Sequence, residues 1–198
     1  MMSDLARESA GVRVWDPLVR LTHWGIALAV LVNGLLLRDG DIVHIWIGYG
    51  ALALLLLRLF WGFIGTESAR FSAFPPNLRG ALAHLRSMIA GRHSRYRSHN
   101  PLGALMVYAL WATLLVVATT GVLMQSDPFP QETHQERYEQ VEHERGGESE
   151  AGEAIEEVHE AAANLLLLLA ALHVIGAFAE SRLSGQNLIA AMITGRRS

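Results

Sequence analysis

The chain has 198 residues, 51% of them hydrophobic, no cysteine and a formal net charge of −3. Without cysteine there is no disulfide scaffold, no thiolate-held iron–sulfur cluster and no CxxCH cofactor attachment. Mean hydropathy is positive, and the apolar residues are bunched into four blocks, each near the length that crosses a bilayer.

Residues 1–17 are a polar lead-in whose acids are unlike a cleavable signal peptide. The first apolar block spans 19–37, with Arg20 and His23 near its start. The turn Arg38-Asp39-Gly40-Asp41 leads into the second, 42–64, with His44 at its start and Arg58 near its end. So short a turn predicts an antiparallel helical hairpin. Residues 65–99 form a basic connector broken by Pro75-Pro76. Within it Asn77 is placed to cap a short helix on which Leu78, Leu82, Leu85 and Met88 share a face, as in a helix lying in the membrane interface.

The third block, 101–124, opens on Pro101, whose missing N–H costs little in a first turn, and holds no histidine. It is expected only to close the bundle. Residues 125–157 are acidic, with eleven carboxylates and two arginines from Asp127 to Glu157. Their second half is expected to carry the last helix out into water. The fourth block, 158–180, reads VHEAAANLLLLLAALHVIGAFAE and contains His159 and His173. A short amphipathic tail ends in Arg196 and Arg197.

Arginine sets the orientation, because the chain has no lysine. Twelve of the sixteen arginines lie in the N-terminus, the 65–99 connector and the C-terminal tail. Arg38, Arg137 and Arg145 lie in the other two loops, and Arg58 is within a span. The positive-inside rule puts both termini and the connector in the cytoplasm. The short turn and the acidic loop 125–157 then face outside. The expected fold is an all-α integral membrane four-helix bundle, residues 1–198 forming a single membrane domain in the lipid bilayer. No nucleic-acid partner is expected.

Orientation fixes the depth of each histidine. His159 and His173 are fourteen residues apart. At about 100° and 1.5 Å per residue they leave one helix face about 21 Å apart. His44 lies just past the external turn, level with His159. His23 enters from the cytoplasmic side, level with His173. Imidazoles buried in a bilayer need a reason. One reason fits both pairs: each is the axial ligand set of its own b-type haem, giving two stacked haems. Gly48 lies one turn after His44, Ala162 and Ala163 after His159, and Gly176 and Ala177 after His173. Small side chains there leave room for a porphyrin, although they also let helices pack closely.

Blander readings stand beside this one. A lone histidine in an apolar run is usually a hydrogen-bonded structural residue, but four at two matched depths are harder to dismiss. A zinc or copper site is the rival, disfavoured because each layer supplies two histidines and the inner layer no carboxylate. Arg58 pairs with a haem propionate or snorkels to lipid phosphate; Arg13 and Arg20 are further candidates for either. His84, His93 and His99 are expected to be interfacial or solvated, and His134 and His143 to lie in a solvated loop. The aromatics Trp15, Trp24, Trp46, Tyr49, Phe60, Trp61 and Phe63 read as an interfacial belt.

The stretches VWDPLVRLTHW, HIWIGYGALALLLLRLFWGFIG, HNPLGALMVYALW, HEAAANLLLLLAALH and NLIAAMITGRR resemble, in that order, the prokaryotic di-haem cytochrome b-561 family. The family includes the b-type cytochrome subunits of nickel–iron hydrogenases. The resemblance implies a multi-pass protein of the bacterial inner membrane. It implies His23, His44, His159 and His173 as haem ligands and electron transfer between a redox partner and the quinone pool. With two histidines each, both irons lack an open site, so one-electron relay is the natural role. The leading expectation is a conduit between a periplasmic redox protein, such as a basic cytochrome c steered by the acidic loop, and quinone. The alternatives are the membrane-anchor subunit of a larger dehydrogenase, or a superoxide:quinone oxidoreductase. The acidic loop would repel superoxide.

Overall fold

The computed structural model describes residues 12–37, 41–90, 100–125 and 150–197. Helix α1, Pro17–Leu31, begins where Asp16 accepts a hydrogen bond from the Val19 amide at 2.9 Å and Pro17 fills the first turn. It widens into a π-helical turn, Val32–Leu36. From that turn the Asn33 side chain donates to the His44 carbonyl at 2.9 Å, tying the end of α1 to the start of α2, Ile42–Ile64. Asp41 caps α2 by accepting from the His44 amide at 2.8 Å.

Two 3-10 turns follow, Glu67–Ala69 and Phe71–Ala73. Asn77 caps helix α3, Leu78–Ile89, by accepting from the Gly80 amide at 2.8 Å. Helix α4, Pro101–Gln125, starts with the Asn100 side chain accepting from the Gly103 amide at 2.6 Å. Helix α5, Glu150–Ser184, is longer than the last apolar block at both ends. Its Glu- and Ala-rich start contains good helix formers, so nothing breaks the helix where charge gives way to leucine. Helix α6, Leu188–Thr194, stops at Gly195, whose φ of +78° suits glycine.

The four long helices pack around a narrow interior in which Leu55, Leu114 and Leu166 are buried. The exterior is the apolar side. Leu56, Phe60, Phe63, Leu168 and Ile175 are all more than half exposed, an arrangement water would penalise and lipid favours. Trp24, Trp46, Tyr49, Phe60 and Phe63 are among the exposed rings, whereas Trp15 is buried.

One end of the bundle is closed by a clasp. Strand β1, Val12–Arg13, pairs antiparallel with β2, Arg196–Arg197. The amides of Val14 and Trp15 donate to the Gly195 carbonyl at 2.9 and 3.2 Å. Val14, Trp15, Val19, Ala69 and Ala191 form a small core beneath. The Ser68 hydroxyl donates to the Val14 carbonyl. Asp16 joins the parts: its second oxygen accepts from Trp61 Nε1 at 3.1 Å and from the Thr66 hydroxyl at 2.6 Å. The N-terminal segment, the connector and the C-terminal segment, which carry most of the arginines, therefore meet at one end.

Burial would raise the Asp16 pKa, but hydrogen bonds from Thr66, the Val19 amide and Trp61 outweigh it and hold the carboxyl below its usual range. A folded pKa below the unfolded value stabilises the fold above the unfolded value, about 3.9, and that stabilisation is lost as pH falls through the folded value. Loss of the cap in Asp16→Ala should cost about 1 kcal/mol, seen as a thermal midpoint roughly 2–4 °C lower in detergent at neutral pH. Between pH 5 and acid, Asp16→Asn should lose less stability than the parent; equal losses would remove Asp16 from the account.

Candidate functional site

Helix α5 places His159 and His173 on one face, and each meets one partner. The His44 and His159 ring centres are 6.3 Å apart, with the planes at 58°. The His23 and His173 ring centres are also 6.3 Å apart, at 56°. The second pair lies toward the clasp, the first toward the opposite end. The separation has a chemical meaning. Roughly 2.0 Å for a metal–imidazole nitrogen bond, plus about 1.1 Å from nitrogen to ring centre, doubled, gives about 6.2 Å, close to the observed separation. Two rings on opposite sides of one metal ion have this spacing. Rings bonded to each other would be closer.

Among the described residues no three His, Cys, Asp or Glu side chains converge to hold a metal ion. A metal between either pair must therefore bring its remaining ligands with it, as a porphyrin does. The positions one turn after two of the rings are uncrowded. A Cβ added at Gly176, one turn after His173, meets nothing within 4 Å. One added at Gly48, one turn after His44, meets only the Asn33 side-chain nitrogen, at 4.0 Å.

The ring nitrogens are constrained at the end away from the clasp. His44 Nδ1 lies 2.8 Å from the Leu37 carbonyl, which can only accept, so Nδ1 carries the hydrogen. His159 Nδ1 lies 2.9 Å from the Thr120 hydroxyl. That hydroxyl is also 2.8 and 3.0 Å from the carbonyls of Val116 and Val117, which take its only hydrogen. Thr120 therefore accepts from His159. Both rings are left with Nε2 as the free lone pair. At the other pair, His23 Nδ1 is buried with no partner among the described residues.

Helix α4, expected only to close the bundle, thus holds His159. It approaches closely through Gly121, where an added Cβ would lie 3.2 Å from His159 Cε1. The sequence signal was faint: a Thr-Thr-Gly step one turn from the end of an otherwise apolar block.

The arginines behave differently from one another. Arg58, 5% exposed, does not snorkel to lipid. Its Nη2 donates to the Ala69 carbonyl at 3.2 Å, its guanidinium lies 4.9 Å from the Trp111 ring centre, and its buried Nη1 has no partner among the described residues. Arg20 is committed to the clasp, with Nη1 donating to the Ile193 carbonyl at 2.7 Å and Nε buried without a partner among the described residues. His84, expected in solvent or at the interface, is instead buried, with Nε2 3.3 Å from Glu180 Oε2. The pair links α3 to the end of α5. Ala81, one turn earlier on α3, is buried as well. Arg13 lies in β1. His93, His99, His134, His143 and most of the acidic loop fall outside the described residues.

By length and composition four helices can cross a membrane: Pro17–Leu36, Ile42–Ile64, Pro101–Gln125 and Ala151–Ser184. With their apolar side chains facing outward, they make this a multi-pass helical membrane protein. The chain belongs to the prokaryotic cytochrome b561 family, whose model matches residues 14–195. That family consists of membrane b-type cytochromes of electron transfer, so a b-type haem is the prosthetic group it implies. No curated protein and no solved structure matches the chain.

The close approach at Gly121 can be tested. Gly121→Leu has to push the His159 ring aside, so the purified variant should lose haem absorbance relative to the parent. Full haem content with an unshifted α-band would show that the contact does not position His159.

Proposed function

We propose that the protein is a di-haem b-type cytochrome carrying electrons across the bacterial inner membrane. It would connect a redox protein at the outer, acidic end with the quinone pool. His44 and His159 would hold the outer haem, and His23 and His173 the inner one. The observation that carries this reading is the shared 6.3 Å ring separation of both pairs. Haem held this way supplies one-electron transfer with no open coordination position.

The chain's own residues then bind, orient and insulate. Arg58 is fourteen residues after His44 on α2, so it sits about 21 Å along the axis, level with the inner pair. Its Nη1, without a partner among the described residues, is a donor suited to a haem propionate. Arg20 has less to offer, since its Nη1 is already bonded to the Ile193 carbonyl. Gly48 and Gly176 leave the space a flat ring requires. The clasp gathers the arginine-rich segments, which supports placing that end and both termini in the cytoplasm.

At the other end, Glu153, Glu156, Glu157 and Glu160 are exposed on α5. They favour a basic protein partner and disfavour an anion such as superoxide.

A dithionite-reduced-minus-oxidised spectrum of the purified protein should show b-type α and Soret bands, and pyridine haemochrome analysis should give two haems per chain. His173→Ala should retain the outer haem alone, and His44→Ala the inner one alone. One haem in the parent protein would overturn the two-site reading. Docking of a basic cytochrome c should weaken as salt rises and on neutralising Glu153, Glu156 and Glu157. Salt-independent docking would remove electrostatic steering from the account.

A further inference from the structure

The two histidine pairs have the same separation but different surroundings. Both outer rings donate their Nδ1 hydrogens, His44 to the Leu37 carbonyl at 2.8 Å and His159 to the Thr120 hydroxyl at 2.9 Å. Each acceptor is itself prepared by the fold. The Leu37 carbonyl is presented by the π-helical turn, where the Leu37 amide reaches back to the Val32 carbonyl at 3.0 Å. The carbonyls of Val116 and Val117 are in reach of the Thr120 hydrogen, which leaves the Thr120 oxygen free to accept from His159. In the inner pair, His23 Nδ1 is buried with no acceptor among the described residues. Arg58 is buried and, fourteen residues after His44 on α2, is expected about 21 Å further along the axis, near that depth.

We propose that Thr120 and the Leu37 carbonyl are positioning groups that hold the outer centre at a lower reduction potential than the inner one. The inference rests on the two-haem reading above. A ring that donates its Nδ1 hydrogen is a more basic ligand through Nε2. A more basic ligand favours the ferric state, which carries one more positive charge, and the potential falls. At the inner pair the argument runs the other way. Among the described residues no acceptor enriches His23, and a buried cation disfavours the extra positive charge. The exposed carboxylates at the start of α5 add to the difference by favouring the ferric state at the outer end. Every asymmetry named here has the same sign. An electron entering at the acidic end would run downhill toward the clasp.

Spectroelectrochemical titration of the purified protein tests this without any turnover assay. The parent should show two one-electron waves. Thr120→Val keeps the shape of the side chain but removes the acceptor, so it should raise the lower wave and leave the upper one in place. A shift of about 59 mV, a tenfold change in the outer ferric–ferrous equilibrium for a one-electron couple, is the expected scale. Thr120→Ser retains the hydroxyl and should restore the parent potential, which a purely steric role would not require.

The single-centre variants give an independent reading. His44→Ala, keeping the inner centre, should titrate near the upper wave. His23→Ala, keeping the outer centre, should titrate near the lower wave. If Thr120→Val takes up less than two haems, the order of those two potentials decides. The proposal is overturned if Thr120→Val leaves the lower wave unmoved, or if the centre retained in His44→Ala is the lower one. A parent protein with one haem would overturn the two-haem reading itself, a result distinct from both.

Discussion

A neutral imidazole deep in an apolar helix has lost its water and must be given another partner. The rest of the structure follows from meeting that need twice on one helix. Helix α5 has to run unbroken past both histidines, and it does so for 35 residues. A partner ring must arrive at each depth from a different helix. The turn between α1 and α2 supplies this, because it sends α1 upward with His23 near its start and returns α2 with His44 at its start. The facing rings are too far apart to bond each other and have no third protein ligand among the described residues. The gap between them suits a metal ion that brings its own equatorial ligands.

The two ends of the bundle are built on different principles. At the clasp, backbone pairing, a small apolar core and one carboxylate with three donors hold the chain ends and the connector together. Arg58 continues this order into the bundle, anchored by the Ala69 carbonyl and the Trp111 face. A buried guanidinium with an unpartnered nitrogen is costly unless something anionic completes it. At the opposite end, α5 presents Glu153, Glu156, Glu157 and Glu160 on its exposed surface. One end is organised to hold things in place, the other to present charge.

Much of this was legible in the sequence because membranes narrow the choices. Apolar blocks of bilayer length have to be helices, and their order leaves few ways to pack them. Helical arithmetic alone put His159 and His173 on one face, and arginine counting matched them with His44 and His23. The structure brings those same rings together. What was missed lies in contacts with no periodic signature. Two-residue strands are too short to show alternation, so the clasp was invisible. Thr120 looked like one of many small residues, because a single side chain-to-ring bond depends on the rotation of α4 relative to α5. His84 looked solvated because its neighbours Arg79 and Arg86 are charged. Its burial depends on which face of α3 meets the bundle, and that face is set by Ala81 and Glu180.

The space between the two pairs is as informative as the pairs. Leu166 is seven residues from each histidine of α5, two helical turns either way on the same face. Leu55 and Leu114 pack against it, and Ile26, Val30, Leu59, Leu110, Trp111 and Val117 surround them. All are hydrocarbon except Trp111, whose indole N–H donates but cannot accept. An electron can tunnel through such a layer, but a proton needs a chain of groups that both accept and donate, and none of these side chains does both. If the two pairs each hold a redox centre, charge therefore crosses the middle of the bilayer as electrons alone. Protons taken up or released in the chemistry at either end have to come from the water on that side. Transfer between the centres then moves net charge across the membrane and is opposed or assisted by its potential, at about 2.3 kcal/mol per charge per 100 mV over the full span. A lower potential at the acidic end would provide driving force where the field opposes the step.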